Sequence, residues 1–415
     1  SNHNFSSMYE NLSDESSIFI LQNNSELKSS LNSLFESDDI VTDSKYKTSA
    51  FQFIKDDGFT HFNGIIKKAS SRAVSNTITE EFSISLDNDI LTNPQFVKNH
   101  KTKQKEVIVQ DINNNLYLIS NKGKVLWKKQ LNGKVLGKIE QVDLYKNGRL
   151  QLAFATQKRF YVLDRNGRNV SNFPVKFNDN ITQPLSVFDY DNKRNYRFLI
   201  TQGKEVLMLD KNAKTVRGFK FKKHKDNISS QPKHFRIQGK DFIAFAAGKE
   251  LVLLNRRGET RLKVNEQIDF SDNEIYAHKN QFTTTNTKGE LVQVNLRAKL
   301  SKQSLGLDSN HTIDASSKTL TTLSENNLTV KGNQYELDFG NYTSPQIFYI
   351  NDKIYVALTD LQTRKVYVFD SNAKLQNNFP VYGNSDIDLA NIDRDRNLEF
   401  IVISESDTFI VYQKN

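Results

Sequence analysis

Short apolar runs recur along most of the chain, and polar or turn-forming residues separate each run from the next. Residues 94–131 show the pattern clearly, reading PQFVKNHKTKQKEVIVQDINNNLYLISNKGKVLWKKQL. Four β-type runs fall within about 40 residues, a period that is typical of a β-propeller blade. The pattern therefore predicts an all-β protein whose residues 77–415 form a β-propeller of repeated four-stranded sheets.

The repeat predicts eight blades. Seven is the alternative if the fifth and sixth copies, at about residues 269–300 and 310–339, are not blades. The eighth copy begins at Asp386 and ends the chain after three strands. We expect residues 78–86, which read ITEEFSISL, to supply its fourth strand, because a closing strand removes the free edge of the ring.

Turn motifs occupy equivalent places in several repeats. Each joins an apolar run to the next strand, begins with Asp or Asn, and ends with Gly or Ala; they lie at residues 121–123, 164–167, 210–213, 255–258 and 370–373. This composition is typical of tight turns that need a positive φ angle. We interpret these motifs as hairpin turns without further function.

Residues 1–70 do not fit the repeat. Residues 17–21 predict a strand, and Leu27, Leu31, Leu34 and Phe35 form the apolar stripe of a helix with an N-cap at Asn24 or Ser25. Residues 50–54 and 59–66 predict a hairpin that turns at 56–58. We expect a small α+β segment, which is either the tail of a larger N-terminal domain or a piece that packs on the propeller.

Composition narrows the chemistry. The 415 residues are 37% hydrophobic and 25% charged and include no Cys, which excludes disulfides, thiolate nucleophiles and zinc–sulfur sites. The sequence contains no stretch of about 18 apolar residues, so it predicts no transmembrane segment. The chain starts SNHNFSSMYE without a signal peptide, and its first two residues resemble a cleavage scar. If they are one, we expect the natural protein to begin earlier, and any export signal or lipid anchor is missing from this chain.

The net charge is +9, and its densest basic run is KTVRGFKFKKHK at residues 214–225. We interpret this run as a solvated outer strand. The alternative is a patch for an anionic partner such as lipopolysaccharide, nucleic acid or an acidic protein. Only Phe219 and Phe221 interleave the basic residues, and no nucleic-acid motif occurs elsewhere, so we expect no nucleic-acid partner.

No catalytic motif stands out. The seven histidines are scattered, and we expect each to be a surface or loop residue: His3, His61, His100, His224, His234, His278 and His311. The sequence contains no HExxH, and no GxSxG, P-loop or GxGxxG stands in a strand-to-helix context. We therefore expect a protein that is not an enzyme and has no cofactor.

The blade pattern of apolar strand, Asp-x-x-Gly turn and outer strand resembles the quinoprotein-like, or PQQ-like, β-propellers. That group includes pyrroloquinoline quinone dehydrogenases and the non-enzymatic BamB-type scaffolds of outer-membrane protein assembly. The group's blades are often rich in Gly and Trp, whereas Trp127 is the only Trp here. The calcium site, Trp floor and adjacent Cys pair of a quinone enzyme cannot be assembled from this sequence, so the resemblance implies a scaffold.

A second resemblance lies near the C-terminus. Residues 390–403 look like the Asp-rich repeats of integrin-type and FG-GAP propellers, which imply a calcium ion in a strand-connecting loop. The oxygen-bearing residues alternate: Asn391, Asp393, Asp395, Asn397 and Glu399. Arg396 replaces the family's turn glycine, and Arg394 adds positive charge. The alternative is that the carboxylates only cap turns and pair with cations. The pattern recurs with fewer oxygens elsewhere, at Asp143, Asp189, Asp191 and Asn192.

Taken together, these features predict a non-enzymatic propeller that serves as a protein–protein interaction scaffold in a bacterial cell envelope. The resemblance implies a periplasmic or outer-membrane location, with peripheral or lipid-anchored membrane association and envelope proteins as partners. The alternative is a ligand-binding or adhesive propeller that recognises glycan or calcium, with metal ligands at Asp393, Asp395, Asn397 and Glu399. An enzyme ranks third.

Overall fold

The structure is a computed structural model that describes residues 12–13, 16–23, 46–56, 59–68, 77–395 and 397–415. In these ranges the chain forms 34 β-strands and no helix. No helix that is long and apolar enough to cross a membrane is therefore present among the described residues. The chain divides into two compact units: residues 1–76 with Phe348–Tyr355, and Thr77–Ile347 with Val356–Asn415.

The N-terminal part contains a three-stranded antiparallel sheet. Its strands are β1 (Ile18–Asn23), β2 (Tyr46–Asp56) and β3 (Phe59–Lys68), in that order across the sheet. They lie where the apolar runs predict a strand and a hairpin. The predicted helix and the turn residues 57–58 lie outside the described residues. That this segment belongs to a larger N-terminal domain stays a prediction.

Eight antiparallel sheets follow, and we number them as blades in chain order. The strands of blades 1 to 4 are β5 (Gln95–Lys98), β6 (Lys105–Gln110), β7 (Asn115–Ile119) and β8 (Val125–Gln130); β9 (Val135–Val142), β10 (Gln151–Thr156), β11 (Arg159–Leu163) and β12 (Val175–Lys176); β13 (Ser186–Phe188), β14 (Arg197–Gln202) and β15 (Glu205–Asp210); and β16 (Lys233–Ile237), β17 (Lys240–Ala247), β18 (Glu250–Leu254) and β19 (Thr260–Lys263).

Blades 5 to 8 continue the repeat. Their strands are β20 (Tyr276–His278), β21 (Gln281–Thr285), β22 (Glu290–Val294) and β23 (Leu300–Ser304); β24 (Thr312–Ala315), β25 (Leu320–Ser324), β26 (Asn327–Val330) and β27 (Asn333–Glu336); β28 (Gln346–Ile350), β29 (Lys353–Asp360), β30 (Lys365–Phe369) and β31 (Val381–Tyr382); and β32 (Asp388–Ala390), β33 (Leu398–Glu405), β34 (Thr408–Lys414) and β4 (Ile78–Ser85). The fifth and sixth copies are blades, so the prediction of eight is confirmed.

The burial of each strand follows its position in the blade. Every residue of β7 and β10 is buried, because the second and third strands are covered on both faces by the neighbouring blades. The outer strand β8 instead alternates between exposed and half-buried residues. The short apolar runs of the sequence are therefore the middle strands of the blades.

Aromatic side chains connect neighbouring blades. The rings of Phe160 in blade 2 and Phe198 in blade 3 lie 4.8 Å apart, and those of Phe242 in blade 4 and Phe282 in blade 5 lie 5.1 Å apart. All four rings are buried. Such pairs add about 0.5–1.5 kcal/mol beyond area burial, so each blade is stabilised by the next.

The ring closes as the sequence predicts. Strand β4 pairs antiparallel with β34, from Ser85 opposite Thr408 to Ile78 opposite Lys414. The hydroxyl oxygens of Ser85 and Thr408 lie 2.7 Å apart. Ile84 packs against the same core cluster as the fully buried Phe409. The last blade therefore combines the two ends of the propeller sequence and presents no unpaired β34 edge.

Blade 3 departs from the four-stranded pattern. Beyond β15, only isolated bridges at Leu209–Thr215 and Glu205–Lys223 hold the returning segment. The segment between them forms no regular pairing with β15, and the ring of Phe219 within it is buried. The basic run at 214–225 lies here: its Lys and Arg side chains are exposed, as predicted, but the run forms no regular strand.

The predicted turns adopt positive φ angles. In the turn at 164–167, Asp164 Oδ1 accepts hydrogen bonds from the amides of Asn166 and Arg168, and Gly167 has a φ of 76°. The same position is alanine in three other blades, where the φ values are 62°, 58° and 60°: Ala213, Ala298 and Ala373. An Asp or Asn cap with a left-handed residue three positions later thus repeats around the ring.

Candidate functional site

Strand direction sorts the loops onto two faces of the propeller. Because neighbouring strands of a blade are antiparallel, the connections between strands one and two and between strands three and four share one face. We call this the front face; it includes the loops at 99–104, 143–150, 189–196 and 391–397. The connections between strands two and three and between successive blades form the back face, for example 111–114 and 337–345.

The predicted calcium residues lie on the front face, in the loop between β32 and β33. Carboxylate oxygens of Asp393, Asp395 and Glu399 all lie within 4.8 Å of one another. Glu399 is buried, Asp393 is half-buried and Asp395 is exposed. Oxygen ligands around Ca²⁺ lie 2.3–2.6 Å from the ion, roughly, so this spacing fits one cation. We call these three residues the acidic cluster.

Hydrogen bonds fix the acidic cluster. The amide of Ile392 donates to Glu399 Oε2 at 2.7 Å, and Gln413 Nε2 donates to Glu399 Oε1 at 3.4 Å. One oxygen of Asp393 accepts the Asp395 amide at 3.1 Å, and one oxygen of Asp395 accepts the Asn397 amide at 2.6 Å. The two aspartates therefore act as turn caps through one oxygen each, which leaves the other oxygen for a cation.

The two asparagines of the pattern make other contacts. Asn391 Oδ1 accepts the Arg394 amide at 2.6 Å, and its Nδ2 donates to the Asp395 carbonyl at 2.6 Å. The side chain of Asn397 donates to Asn415 Oδ1 at 3.3 Å. The structure therefore brings together three of the four predicted metal residues and gives the Asn397 amide group a partner at the C-terminus.

A fourth carboxylate approaches from the closing strand. Burial, together with the charges of Asp393 and Asp395, raises the pKa of Glu81. Glu81 occupies a bulge of β4, between the pairs formed by Phe82 and Glu80. The sequence pattern did not reveal Glu81, because its proximity depends on ring closure. The prediction of the closing strand was the only signal that pointed to it.

Burial and electrostatic repulsion both disfavour the charged form of Glu399 in the acidic cluster. Burial, together with the charges of Asp393 and Asp395, raises the pKa of Glu399 to about 7, although the hydrogen bonds from the Ile392 amide and Gln413 lower it. The three carboxylates therefore do not all carry full charge at neutral pH without a compensating cation.

The related loops in blades 2 and 3 are fully capped. Asp143 accepts the amides of Asn147 and Gly148 at 3.0 and 2.9 Å and pairs with Arg194 at 2.8 Å. Asp189 accepts the amides of residues 193–195. In these two loops the aspartate after strand one organises the loop backbone, which matches the turn-cap interpretation.

Two of the histidines predicted to be surface or loop residues are buried, and the prediction is wrong for His278, which lies in a strand. His278 and His311 are each 4% exposed, because His278 ends the inner strand β20 and His311 packs in the connection to blade 6. Five of the described histidines have separate partners: Leu150 for His100, Glu250 for His224, Asp241 for His234, Ser316 for His278, and Asp308 and Thr285 for His311. These contacts give each of the five a structural role.

Polar contacts join the first strands of neighbouring blades around the propeller axis. The amide of Phe96 donates to Asp388 of blade 8 at 2.7 Å, and the amide of Ile347 donates to Asp314 of blade 6 at 2.7 Å. Burial raises the pKa values of both aspartates, while the charge of Lys138 from blade 2 lowers them. The axis is therefore lined by charged groups that face one another across the ring.

A cavity of about 370 Å³ opens at one end of this axis. Its walls include Gln95, Lys138, Gln346, Asp386 and Asp388. Burial also raises the pKa of Asp386, with Lys138 opposing the shift. Two carboxyls and a lysine suit a polar solute or water rather than an apolar ligand.

Comparison with known proteins identifies the fold alone. No protein family matches the chain, and neither does any curated protein. Among solved structures, BamB from Moraxella catarrhalis is 13% identical, with 81% of this chain and 97% of that chain covered and a TM-score of 0.53. Two further structures are less similar. BBS1N in complex with ARL6DN is 12% identical, with 82% of this chain and 98% of that chain covered and a TM-score of 0.47. The Pan2 WD40 domain of Neurospora crassa is 12% identical, with 82% of this chain and 97% of that chain covered and a TM-score of 0.45. The likeness to BamB shows a β-propeller; the narrower PQQ-like family stays a prediction.

Proposed function

We propose that this propeller is a non-enzymatic scaffold that binds protein partners in a bacterial cell envelope. The observation that carries the proposal is Phe339, an aromatic side chain that is 84% exposed on the back face between blades 6 and 7. Aromatic residues are enriched at protein interfaces and dominate their binding energy. A periplasmic or outer-membrane location is part of the proposal and rests on the resemblance to BamB-type scaffolds.

The loop that carries Phe339 is held in place. The Tyr342 hydroxyl donates to the Asp338 carbonyl at 2.8 Å, and the amide of Asn341 donates to Asp360 at 3.2 Å. A Cβ at Gly340 would come within 2.8 Å of the Asp360 carboxyl, so glycine permits this close approach. A fixed loop presents its aromatic side chain with little further loss of entropy on binding.

Site-directed photo-crosslinking tests the proposal. p-Benzoylphenylalanine replaces Phe339 in the full-length protein in its own organism, and the adducts are identified by mass spectrometry after irradiation. The matched control carries the same residue at Tyr145, which is 58% exposed on the front face. We expect one envelope protein to be captured from position 339 and not from 145. Equal capture from both positions, or no specific adduct from 339, would contradict the proposal.

A second candidate function is calcium-dependent binding of a ligand, and the acidic cluster favours it. If the cluster holds Ca²⁺, the ion stabilises the folded state by mass action, so added CaCl₂ should raise the melting temperature. Asp393→Asn should abolish this shift. Asp189→Asn in the equivalent, fully capped loop should preserve it. A calcium shift that is absent in wild type, or unchanged in Asp393→Asn, would leave the carboxylates as turn caps only.

A further inference from the structure

A groove on the front face separates blades 3 and 4. Its volume is about 550 Å³, and its walls come from the loop and strand at 190–197, the turn at 210–212, the irregular segment at 216–219 and the turn at 256–257. It adjoins the exposed basic run at 214–225. We call it the blade 3–4 groove.

Arg197 is the residue that distinguishes this groove from the corresponding loops of blades 2 and 8. It is the first residue of β14 and pairs with Phe188 across the blade. In blades 2 and 8 the residue that likewise pairs with the last residue of the first strand is an acceptor. Gln151 accepts the Leu144 amide at 2.9 Å, and Glu399 accepts the Ile392 amide at 2.7 Å. Arginine cannot accept. Blade 3 thus replaces an acceptor that organises the loop with a donor at the groove.

The Arg197 guanidinium has unused donors. Its one hydrogen bond with the described residues goes to the carbonyl of Tyr196 at 3.0 Å, and no described carboxylate pairs with it. A half-buried guanidinium without an anionic partner is uncommon, because desolvation of the charge is then uncompensated. Arg197 is therefore poised to pair with an external anion.

The remaining charges of the groove favour an anion as well. Lys211 and Arg257 are exposed and line it. Of the two acidic groups in its wall, Asp191 pairs with Arg256 at 2.8 Å, and Asp210 Oδ1 accepts the amides of its own turn. Arg256 also pairs with Asp241 at 2.6 Å. The acids are thus satisfied. Arg257 approaches Glu259 only at 3.9 Å, so Arg197, Lys211 and Arg257 all keep donors to spare.

We propose that the blade 3–4 groove is an anion site that binds a phosphoryl group, with Arg197 as its main binding side chain. The three cations come from a strand and from the turns of two blades, and all three line the same groove. A tetrahedral phosphoryl group offers three or more acceptor oxygens, whereas a carboxylate offers two in one plane, and the planar guanidinium binds phosphate in a bidentate manner. The neighbouring basic run adds long-range attraction.

Calorimetric titration tests the site with sodium pyrophosphate as the probe. Wild type should bind, and Arg197→Gln should weaken binding at least tenfold, roughly the loss of one charge-assisted bidentate contact. Arg197→Lys should fall in between, because it keeps the charge but loses the fork. The matched control is Arg168→Gln, which removes an equal charge from an exposed turn of blade 2 and should change binding less than about twofold.

Co-sedimentation distinguishes the sources of the phosphoryl group. Vesicles of phosphatidylcholine with phosphatidic acid are compared with phosphatidylcholine alone. Arg197-dependent binding to the acidic vesicles points to a lipid headgroup, and pyrophosphate binding without it points to a soluble phosphorylated compound. If wild type binds neither probe, or if Arg168→Gln weakens binding as much as Arg197→Gln, the proposal is wrong. If Arg197→Gln fails to fold, Lys211→Gln replaces it, because Lys211 is exposed and its loss should likewise weaken binding of the probe.

Discussion

Replacing Gly258 by alanine should destabilise the protein much more than replacing Gly148. Both glycines have left-handed φ angles, 72° and 78°. They differ in their surroundings. A Cβ at Gly258 would lie 2.8 Å from the backbone nitrogen of Phe221 and 2.9 Å from the ring of Phe219, whereas a Cβ at Gly148 would have no atom within 4 Å. The pair therefore separates backbone strain from crowding between blades.

The expected magnitudes follow from these contacts. A left-handed alanine costs about 1–2 kcal/mol, and its smaller entropy in the unfolded chain returns about 0.4–1 kcal/mol. Gly148→Ala should thus destabilise by about 1 kcal/mol. At Gly258 the backbone nitrogen cannot move aside by a rotamer change, so crowding adds about 1–3 kcal/mol. Gly258→Ala should therefore cost about 2–4 kcal/mol in all.

Urea unfolding measures both variants. Far-UV circular dichroism reports the whole ring, and fluorescence of the single tryptophan, Trp127, reports blade 1. Coincident transitions justify the conversion of midpoints to free energies of unfolding. Equal losses in the two variants, or a larger loss for Gly148→Ala, would refute the view that the turn of one blade is fixed by close packing on the blade before it.

Three further predictions concern closure, turns and pH. Ile84→Asp should lower the free energy of unfolding by about 2 kcal/mol or more, because it places a charge in a half-buried core position of the closing strand. Ser83→Asp, on the exposed side of β4, should be nearly neutral. Urea midpoints and light scattering compare the two variants. Ala298→Gly should stabilise the protein by about 0.5–1 kcal/mol in the same assay, since it relieves a φ of 58°. Burial lowers the pKa of His278, so the folded protein binds fewer protons at this residue than the unfolded chain does. The contribution of neutral His278 to stability is therefore present above pH 6.5, roughly, and is lost as the pH falls through the pKa of His278 in the folded state. Wild type should therefore lose more stability than His278→Gln between neutral and acidic pH; equal losses would contradict the assignment.

The sequence predicts most of the ring because its information is local. Each blade combines apolar runs that become covered strands with an Asp or Asn cap, as at Asp164, and those signals repeat. Closure by β4 was also predictable, since the eighth copy lacks a strand. The irregular edge of blade 3 was not predictable, because the run at 214–225 mixes apolar and basic residues as an outer strand does. Only the structure shows that it is held by two isolated bridges and that Phe219 is buried.

The candidate sites depend on contacts between distant positions, and here the sequence is less informative. Asp393, Asp395 and Glu399 are close in sequence and were found. Glu81 joins them only through the closing strand. Arg197 carries no motif of its own. Its significance depends on the absence of a paired carboxylate among the described residues, which no linear pattern shows.

One position in the repeat explains how a single face of the propeller can carry sites of opposite charge. This position is the residue of the second strand that pairs with the last residue of the first strand, next to the loop that joins the two strands. When it is an acceptor, as in Gln151 and Glu399, it binds a loop amide and closes the loop on itself. A carboxylate there also adds negative charge, and in blade 8 it meets Asp393 and Asp395. When it is Arg197, the loop must be organised by Asp189 alone, and the guanidinium is left for the groove. Exchanging the charge at this one position should thus change whether the loop favours a cation or an anion. The supporting blade should not change, because the strand pairing on which it depends uses only backbone atoms.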